Sequence, residues 1–381
     1  MLNELLRKLA KRFAGKPLFE YPVVKQKAYI DIFREPRSNI ERSFCQYKAQ
    51  MKLKGFWIGL AMTLVSPFLL LWYLIKPSQK PCKEKMAEAV FIMDGNVSDN
   101  VIPLCLRDEF EKLELYHYEN NLLKWTDRKY IFRLWLKYPF SWHFVLKSAI
   151  KIMRYRWVIE SYSPKALIVH NEFSFTSSML TDYCNKNGIE LINVMHGEKL
   201  FNMRDSFFKF NRCYIWNEFY KELFEELRAD PSQFIVAVPP SLMFGKKEVL
   251  KSVDYTYYLQ AQKGENLKFI VEMLVKLQEK GNNIAVRPHP RYTDIAELKS
   301  YIADNDIEIE SVREMPIEVS VLRTRNVISV YSTVLQQAYY NNVQIVVDDL
   351  SDPVLFNKLK SYKYVMFKIN DRFVSNLINE N

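Results

Sequence analysis

Apolar and polar positions follow one pattern up to residue 80 and a different one from residue 86 onward. Between residues 86 and 240, short apolar runs of strand length alternate with longer segments of helical period, and residues 241–381 repeat the alternation. Strands and helices at this spacing predict a parallel sheet with helices on both faces. Pro239 and Pro240 interrupt the pattern and mark a linker. We therefore predict an α/β chain with two Rossmann-like domains, 86–240 and 241–381.

Residues 1–80 combine basic and apolar stretches. In residues 2–15 apolar and basic side chains take opposite helix faces, which predicts a helix that rests on a membrane or an ordinary solvent-facing helix. Residues 56–75 contain no charge and reach the length of a membrane segment. Ser66 and Pro67 at the midpoint, with lysines on both flanks, predict a kinked re-entrant hairpin that enters from the cytoplasmic side. A plain transmembrane helix and a buried soluble helix are the alternatives.

Charge and composition narrow the classes of partner. The net charge is +10, and 13 of the basic residues precede Gly55. This position next to an apolar segment favours anionic membrane lipid as a partner, and nucleic acid is not expected because no helix-turn-helix, RNP or zinc pattern occurs. The 5 cysteines form no CxxC pair, so we expect no metal site. The Asp-Asn-Asp triplet at 304–306 is interpreted as a solvated turn, and His117 and His143 as structural.

The sharpest motif is Val-Arg-Pro-His-Pro-Arg at residues 286–291, directly after a predicted strand. Ligands of open α/β sheets bind beyond the carboxyl ends of the strands. An imidazole at His289 with guanidinium groups at Arg287 and Arg291 suits the phosphate of a leaving nucleotide, because each group can form a charge-assisted hydrogen bond. The alternative is a rigid turn with a structural histidine.

A second motif, Tyr331-Ser332-Thr333, follows another predicted strand and precedes a helix. The two hydroxyl groups and the backbone N–H groups of a helix N-terminus can bind an anion there. Ordinary N-capping by serine or threonine is the alternative. No Gly-rich phosphate motif of dehydrogenases or P-loop NTPases occurs, so these two loops are the predicted donor site.

The first domain supplies the candidate acid and base groups. His196 and Glu198 flank Gly197 after a predicted strand, and the glycine permits a tight turn. Either side chain could deprotonate an acceptor hydroxyl, and we favour His196.

Three further residues follow the predicted strand at 166–169, namely His170, Asn171 and Glu172. Glu172 is the second candidate base, whereas His170 and Asn171 are assigned to the acceptor side. Asp94, after the strand at 89–93, is a weaker candidate for the same edge. The alternatives are structural roles, in which Glu172 caps a helix and His170 is a histidine whose hydrogen bonds are satisfied within the protein.

A strand-end His-Pro followed by a strand-end Ser-Thr resembles the bacterial GT-B sialyltransferases and polysialyltransferases. In those families the histidine and the Ser/Thr motif bind the CMP phosphate of the donor, which implies His289, Ser332 and Thr333 here. The acidic pair before glycine that supplies their base is absent. The chain is also similar to the CDP-glycerol polymerases of teichoic-acid synthesis, which carry a His-Gly, an Arg-x-His-Pro and a Tyr-Ser-Ser motif in this order.

Together these features predict a GT-B enzyme whose two domains face a cleft, with a membrane-associated N-terminal extension. The predicted function is inverting, metal-independent sugar transfer in the synthesis of a bacterial surface polysaccharide such as capsule, O-antigen or lipooligosaccharide. The resemblances imply a CMP-linked donor and no cofactor. The predicted partners are a nucleotide-sugar donor, a glycan or lipid-linked acceptor and anionic lipid at the cytoplasmic face of the inner membrane. A CDP-alditol phosphotransferase and a non-catalytic scaffold are the alternative functions.

Overall fold

Two parallel sheets organise the chain, one in each of two compact units. The computed structural model describes residues 20–75, 86–93, 98–117, 120–245, 248–303 and 305–379. Unit 1 comprises residues 1–196 and 201–238, and unit 2 comprises 197–200 and 239–381. The predicted helix at 2–15, Asp94 and Asp304 lie outside the described residues.

Unit 1 contains a six-stranded parallel sheet in the order β2-β1-β3-β4-β5-β6. The strands are β1 (Ala89–Met93), β2 (Leu113–His117), β3 (Ala166–Val169), β4 (Glu190–Val194), β5 (Arg212–Ile215) and β6 (Phe234–Val236). The helices are α1 (Val23–Asp31), α2 (Asn39–Lys54), α3 (Phe56–Ile75), α4 (Leu104–Arg107), α5 (Trp125–Lys137), α6 (Trp142–Tyr162), α7 (Ser177–Lys186) and α8 (Glu218–Glu226). Every residue of β1 and β3 is buried, as expected for strands covered on both faces.

Unit 2 contains a five-stranded parallel sheet in the order β11-β10-β7-β8-β9. The strands are β7 (Val253–Tyr258), β8 (Ile284–Arg287), β9 (Glu308–Ile309), β10 (Thr324–Ser329) and β11 (Gln344–Val347). The helices are α9 (Glu265–Glu279), α10 (Ile295–Ile302), α11 (Ile317–Arg323), α12 (Thr333–Tyr340), α13 (Pro353–Ser361), α14 (Met366–Ile369) and α15 (Val374–Asn379). The prediction of two Rossmann-like parallel-sheet domains is therefore confirmed.

Residues 20–54 pack within unit 1, although residues 1–80 were predicted as a separate membrane-associated segment. Gln46 of α2 is fully buried and donates to the carbonyl oxygens of Glu172 and Arg204, at 2.9 Å each. Ser43 accepts a hydrogen bond from the backbone N–H of Met179 in α7. These contacts satisfy polar groups more than 100 residues away, so deletion of residues 1–80 would expose buried backbone of the unit.

Helix α3 is continuous from Phe56 to Ile75, and it is the one helix among the described residues that is long and apolar enough to span a membrane. The chain therefore does not turn back at Ser66 and Pro67, and the predicted hairpin is wrong. Ser66 donates to the carbonyl oxygen of Met62 one turn earlier, a local bond that a helix with an interior proline accommodates. Only 11% of its apolar window is buried within the chain, which does not match the alternative of a buried soluble helix.

The pH dependence of stability should depend on His143, at the start of α6. The residue is 5% exposed, and the centroid of its ring is 6.1 Å from that of Tyr47 and 6.0 Å from that of Phe175. Burial, and then the positive charges of Lys54 and Lys147, lower the pKa of His143 to about 4. Between pH 6.5 and 4 the unfolded chain binds a proton at His143 that the folded chain does not. Stability therefore falls as the pH falls through this window, by up to about 1.4 kcal/mol per pH unit.

We expect His143→Phe to flatten this slope, measured as the free energy of unfolding in urea between pH 4 and 7. His117→Phe is the matched control, because His117 is exposed at the end of β2. Equal slopes for His143→Phe and the native chain would contradict the assignment.

Candidate functional site

The strand order of unit 2 creates a defined ligand position. From β7 the chain first forms β8 and β9 on one side of that strand, and it then crosses to form β10 and β11 on the other side. The connections therefore diverge at β7. Open parallel sheets bind ligands beyond the carboxyl ends of the strands at such a point. The two predicted donor motifs follow β8 and β10, which flank β7. Because neighbouring strands are about 4.8 Å apart, these two strand ends are about 10 Å apart. We call His289, Tyr331, Ser332 and Thr333 the unit 2 strand-end site.

The loop after β8 holds the ring of His289 in one orientation. The backbone N–H of His289 donates to Thr293 Oγ1 at 2.8 Å, and its Nδ1 accepts from the backbone N–H of Arg291 at 3.1 Å. The ring stacks on Tyr292 with centroids 4.6 Å apart. Because Nδ1 is an acceptor, the neutral ring carries its proton on Nε2, which can donate to a ligand.

Partial burial, and then the positive charge of Arg291, lower the pKa of His289. The imidazole is therefore neutral at pH 7, and it acts as a hydrogen-bond donor rather than as a cation. Arg291 itself is exposed, and a donor contact by its side chain stays a prediction.

Ser332 is the N-cap of α12, and its Oγ accepts a hydrogen bond from the backbone N–H of Val334 at 3.3 Å. Capping uses the acceptor capacity of the hydroxyl and leaves its proton available to a ligand. Thr333 is the first residue of the helix, where backbone N–H groups and the helix dipole favour an anion. Ser332 therefore is an N-cap, as the alternative proposed, and its capping role is compatible with the binding of an anion at the same helix end.

Glu198 lies in the segment 197–200, which belongs to unit 2 and not to the first domain as predicted. Tyr331 packs edge-on against the buried Tyr364, with ring centroids 5.1 Å apart. Burial, and then the negative charge of Glu198, raise the pKa of both tyrosines. Glu198 is therefore close to the motif that follows β10, and both phenols are neutral donors at physiological pH.

Arg287, which was predicted to bind the donor phosphate, is buried and has partners within unit 2. Its guanidinium is 7% exposed and donates to Glu310 Oε2 at 2.9 Å and to the carbonyl oxygen of Met315 at 2.9 Å. Glu310 also accepts from Arg323 and from Ser320. These contacts favour a structural role for Arg287 over phosphate binding.

Arg287→Ala should lower the free energy of unfolding of the chain by about 2 kcal/mol, the scale of a buried hydrogen bond to a charged group. The loss stays at this size because Glu310 keeps Arg323 and Ser320 as partners. Arg291→Ala is the matched control, since Arg291 is exposed and should leave stability within about 0.5 kcal/mol. An unfolding curve that is unchanged in Arg287→Ala would contradict the structural role.

Three of the predicted residues of unit 1, His170, Asn171 and Glu172, follow β3, which neighbours β1, the strand at which the connections of this sheet diverge. His170 is buried, with its ring 6.0 Å from that of Phe91 in β1. The backbone N–H of Asn171 donates to Asn193 Oδ1 at 2.7 Å, and Asn193 Nδ2 donates to Glu172 Oε2 at 3.2 Å. Glu172 is 0% exposed, so its carboxylate is inaccessible to an acceptor hydroxyl in this structure.

His196 is the accessible member of the unit 1 group. It follows β4, is half-buried, and its ring lies edge-on to His170 with centroids 4.4 Å apart. Gly197 has a φ of 67°, a left-handed conformation that favours glycine and allows the predicted turn. Of the two candidate bases in unit 1, burial therefore favours His196 over Glu172.

Two positioning residues were missed by the sequence analysis. Asn193 is a fully buried polar residue inside the apolar strand β4, and this interruption of an apolar run was a usable signal. Gln46 binds the carbonyl oxygen of Glu172 from 126 positions away, and no local pattern indicates such a contact. Among the described residues no group of His, Cys, Asp or Glu suits a metal ion.

Comparisons with known proteins give similar folds only. Neither a protein-family model nor a curated protein sequence matches the chain. The glycotransferase of kitacinnamycin is 10% identical with a TM-score of 0.47, over 77% of this chain and 89% of that protein. The calicheamicin glycosyltransferase is 8% identical with a TM-score of 0.43, over 72% and 83%. The UDP-GlcNAc 2-epimerase from Neisseria meningitidis, bound to UDP-GlcNAc, is 11% identical with a TM-score of 0.41, over 71% and 84%. Likenesses of this strength do not determine an activity.

Proposed function

We propose that the chain is a metal-independent, inverting glycosyltransferase of the GT-B type that uses a nucleotide-activated sugar. The observation that carries the proposal is the unit 2 strand-end site. His289 and the Ser332-Thr333 pair follow the two strands that flank β7, and each offers hydrogen-bond donors at the ligand edge of the sheet. Donors without fixed charge suit a phosphate that must be bound and then released.

In the proposed reaction, a base in unit 1 removes the proton of an acceptor hydroxyl, and the acceptor oxygen attacks the anomeric carbon of the donor. The bond from that carbon to the phosphate oxygen breaks, and the nucleotide leaves with the additional negative charge. His289 Nε2–H and the N-terminus of α12 stabilise this charge. His196 is the proposed base, because it is a strand-end imidazole that is accessible in unit 1.

The donor nucleotide and the acceptor are part of the proposal. The motif resemblance favours a CMP-linked sugar such as sialic acid, with an acceptor glycan in a bacterial surface polysaccharide. A CDP-alditol phosphotransferase is the second candidate, because the His196-Gly197 turn and the Tyr331-Ser332-Thr333 loop are both formed. The exposed apolar face of α3 supports attachment to the cytoplasmic face of the inner membrane.

A donor screen tests the proposal. Purified full chain is incubated with CMP-sialic acid, CDP-glycerol and UDP-GlcNAc, each with and without EDTA, and release of nucleotide is measured. Release from CMP-sialic acid that EDTA does not change supports the first candidate, and release from CDP-glycerol supports the second. Release from none of these donors, by protein that also fails to bind the free nucleotides, would contradict a transferase of this class.

A further inference from the structure

Helices α3, α5 and α6 of unit 1 enclose an apolar groove of about 510 Å³. Its lining includes Leu70 and Leu74 of α3 and Val145 of α6. The remaining lining residues are Trp125, Arg128, Lys129, Ile131, Phe132 and Trp135 of α5 and Trp142 of α6. Such a volume is in the range of small-molecule sites, and its walls are almost entirely hydrocarbon and aromatic.

Large apolar side chains are exposed on two of the helices that line the groove. On α3, Phe68 is 76% exposed and Trp72 is 65% exposed, and on α5, Trp125 is 69% exposed. Large exposed apolar side chains next to an apolar groove are typical of a surface that contacts another apolar phase. Because α3 packs along α6 within unit 1, its exposed side is available to the surface of a bilayer while its other side stays on the protein.

Basic side chains give the groove its charge preference. Arg128 and Lys129 are among its lining residues, and no acidic residue is. Lys129 lies over the ring of Trp125, 6.0 Å from its centroid. This combination suits an anionic lipid, because the apolar cavity can bind a hydrocarbon chain while the cationic side chains beside it bind the negatively charged head group.

We propose that this groove binds one hydrocarbon chain of an anionic membrane phospholipid, with its head group at Arg128 and Lys129. The site is separate from the residues proposed for sugar transfer, and its occupancy does not depend on the nature of the donor. It would fix unit 1 on the membrane by a specific lipid in addition to the general contact of α3.

Native mass spectrometry of the full chain, released from a non-ionic detergent, tests this site. The protein is incubated with phosphatidylglycerol or with phosphatidylcholine of the same acyl chains. We expect one retained phosphatidylglycerol per chain and little phosphatidylcholine. Leu74→Trp should fill the groove and lower this occupancy about tenfold, equivalent to ~1.4 kcal/mol of binding free energy. Arg128→Gln and Lys129→Gln should each reduce the preference for phosphatidylglycerol about fivefold.

The matched control is Leu64→Trp, which adds the same side chain to α3 at a position that is 62% exposed and does not line the groove. Retention of lipid by Leu74→Trp at the level of this control would overturn the proposal. Equal retention of the two lipids, or a bound second copy of the chain in place of lipid, would overturn it as well.

Discussion

Replacement of His196 by alanine is expected to lower the rate of sugar transfer by about 10²–10⁴-fold, the usual contribution of a general base. Nucleotide affinity should stay within about twofold, because a base acts on the acceptor hydroxyl and not on the donor phosphate. The structure supports this choice, since His196 is accessible after the Gly197 turn. The measurement is the transfer rate at saturating donor, with the dissociation constant of the free nucleotide measured on the same preparation.

Glu172→Gln serves as the comparison for this experiment. Glu172 is fully buried and accepts from Asn193, and a glutamine of nearly the same shape can keep that hydrogen bond through its carbonyl oxygen. We expect a much smaller loss than in His196→Ala. Normal transfer by His196→Ala beside an inactive Glu172→Gln would show that the carboxylate is the base, and that the loop after β3 opens during turnover.

His289→Ala should lower kcat/KM by about 10²–10³-fold, which corresponds to the loss of one hydrogen-bond donor to charge that develops in the transition state. The native ring is held by Arg291 N–H, Thr293 and Tyr292, so its Nε2–H is oriented before the donor binds. The matched control is His117→Ala, which removes an exposed imidazole at the end of β2 in unit 1.

The pH dependence of nucleotide binding gives an independent test of His289. Its pKa is lowered by burial and by Arg291, so the ring stays neutral from pH 7 to 8 and nucleotide affinity should be flat across that range. Affinity should rise only at lower pH, where the ring gains a proton and a positive charge.

Near-normal kinetics in His289→Ala would show that the loop after β8 only shapes the turn.

The two sheets were predictable because their strands are covered on both faces. Such strands form short continuous apolar runs, and the run at residues 89–93 coincides with β1 as the run at 284–287 coincides with β8. The ligand edge also followed from the sequence, because the carboxyl ends of parallel strands share one side of a sheet.

Long-range contacts account for the features that the sequence did not predict. Arg287 lies in a motif typical of phosphate binding, but its partner Glu310 is 23 positions away, and no local pattern indicates this ion pair. The apolar run of α3 has the length of a membrane segment, and its composition does not distinguish a hairpin from a continuous helix. The packing of this helix along α6 depends on the surface of α6, which the local sequence of α3 does not reveal. The role of α2 in unit 1 rests on Gln46 and Ser43, whose partners lie in distant segments.

Isothermal titration of the full chain with CMP, CDP and UDP tests the central claim most directly, because the claim is that the unit 2 strand-end site binds the phosphate of a nucleotide. We expect one of these nucleotides to bind at a single site. Ser332→Ala with Thr333→Ala, and separately His289→Ala, should each weaken its affinity at least about tenfold, or ~1.4 kcal/mol, while His196→Ala should leave it unchanged. Equal affinity in the native chain and in both unit 2 variants, or the absence of binding by all three nucleotides, would contradict the account.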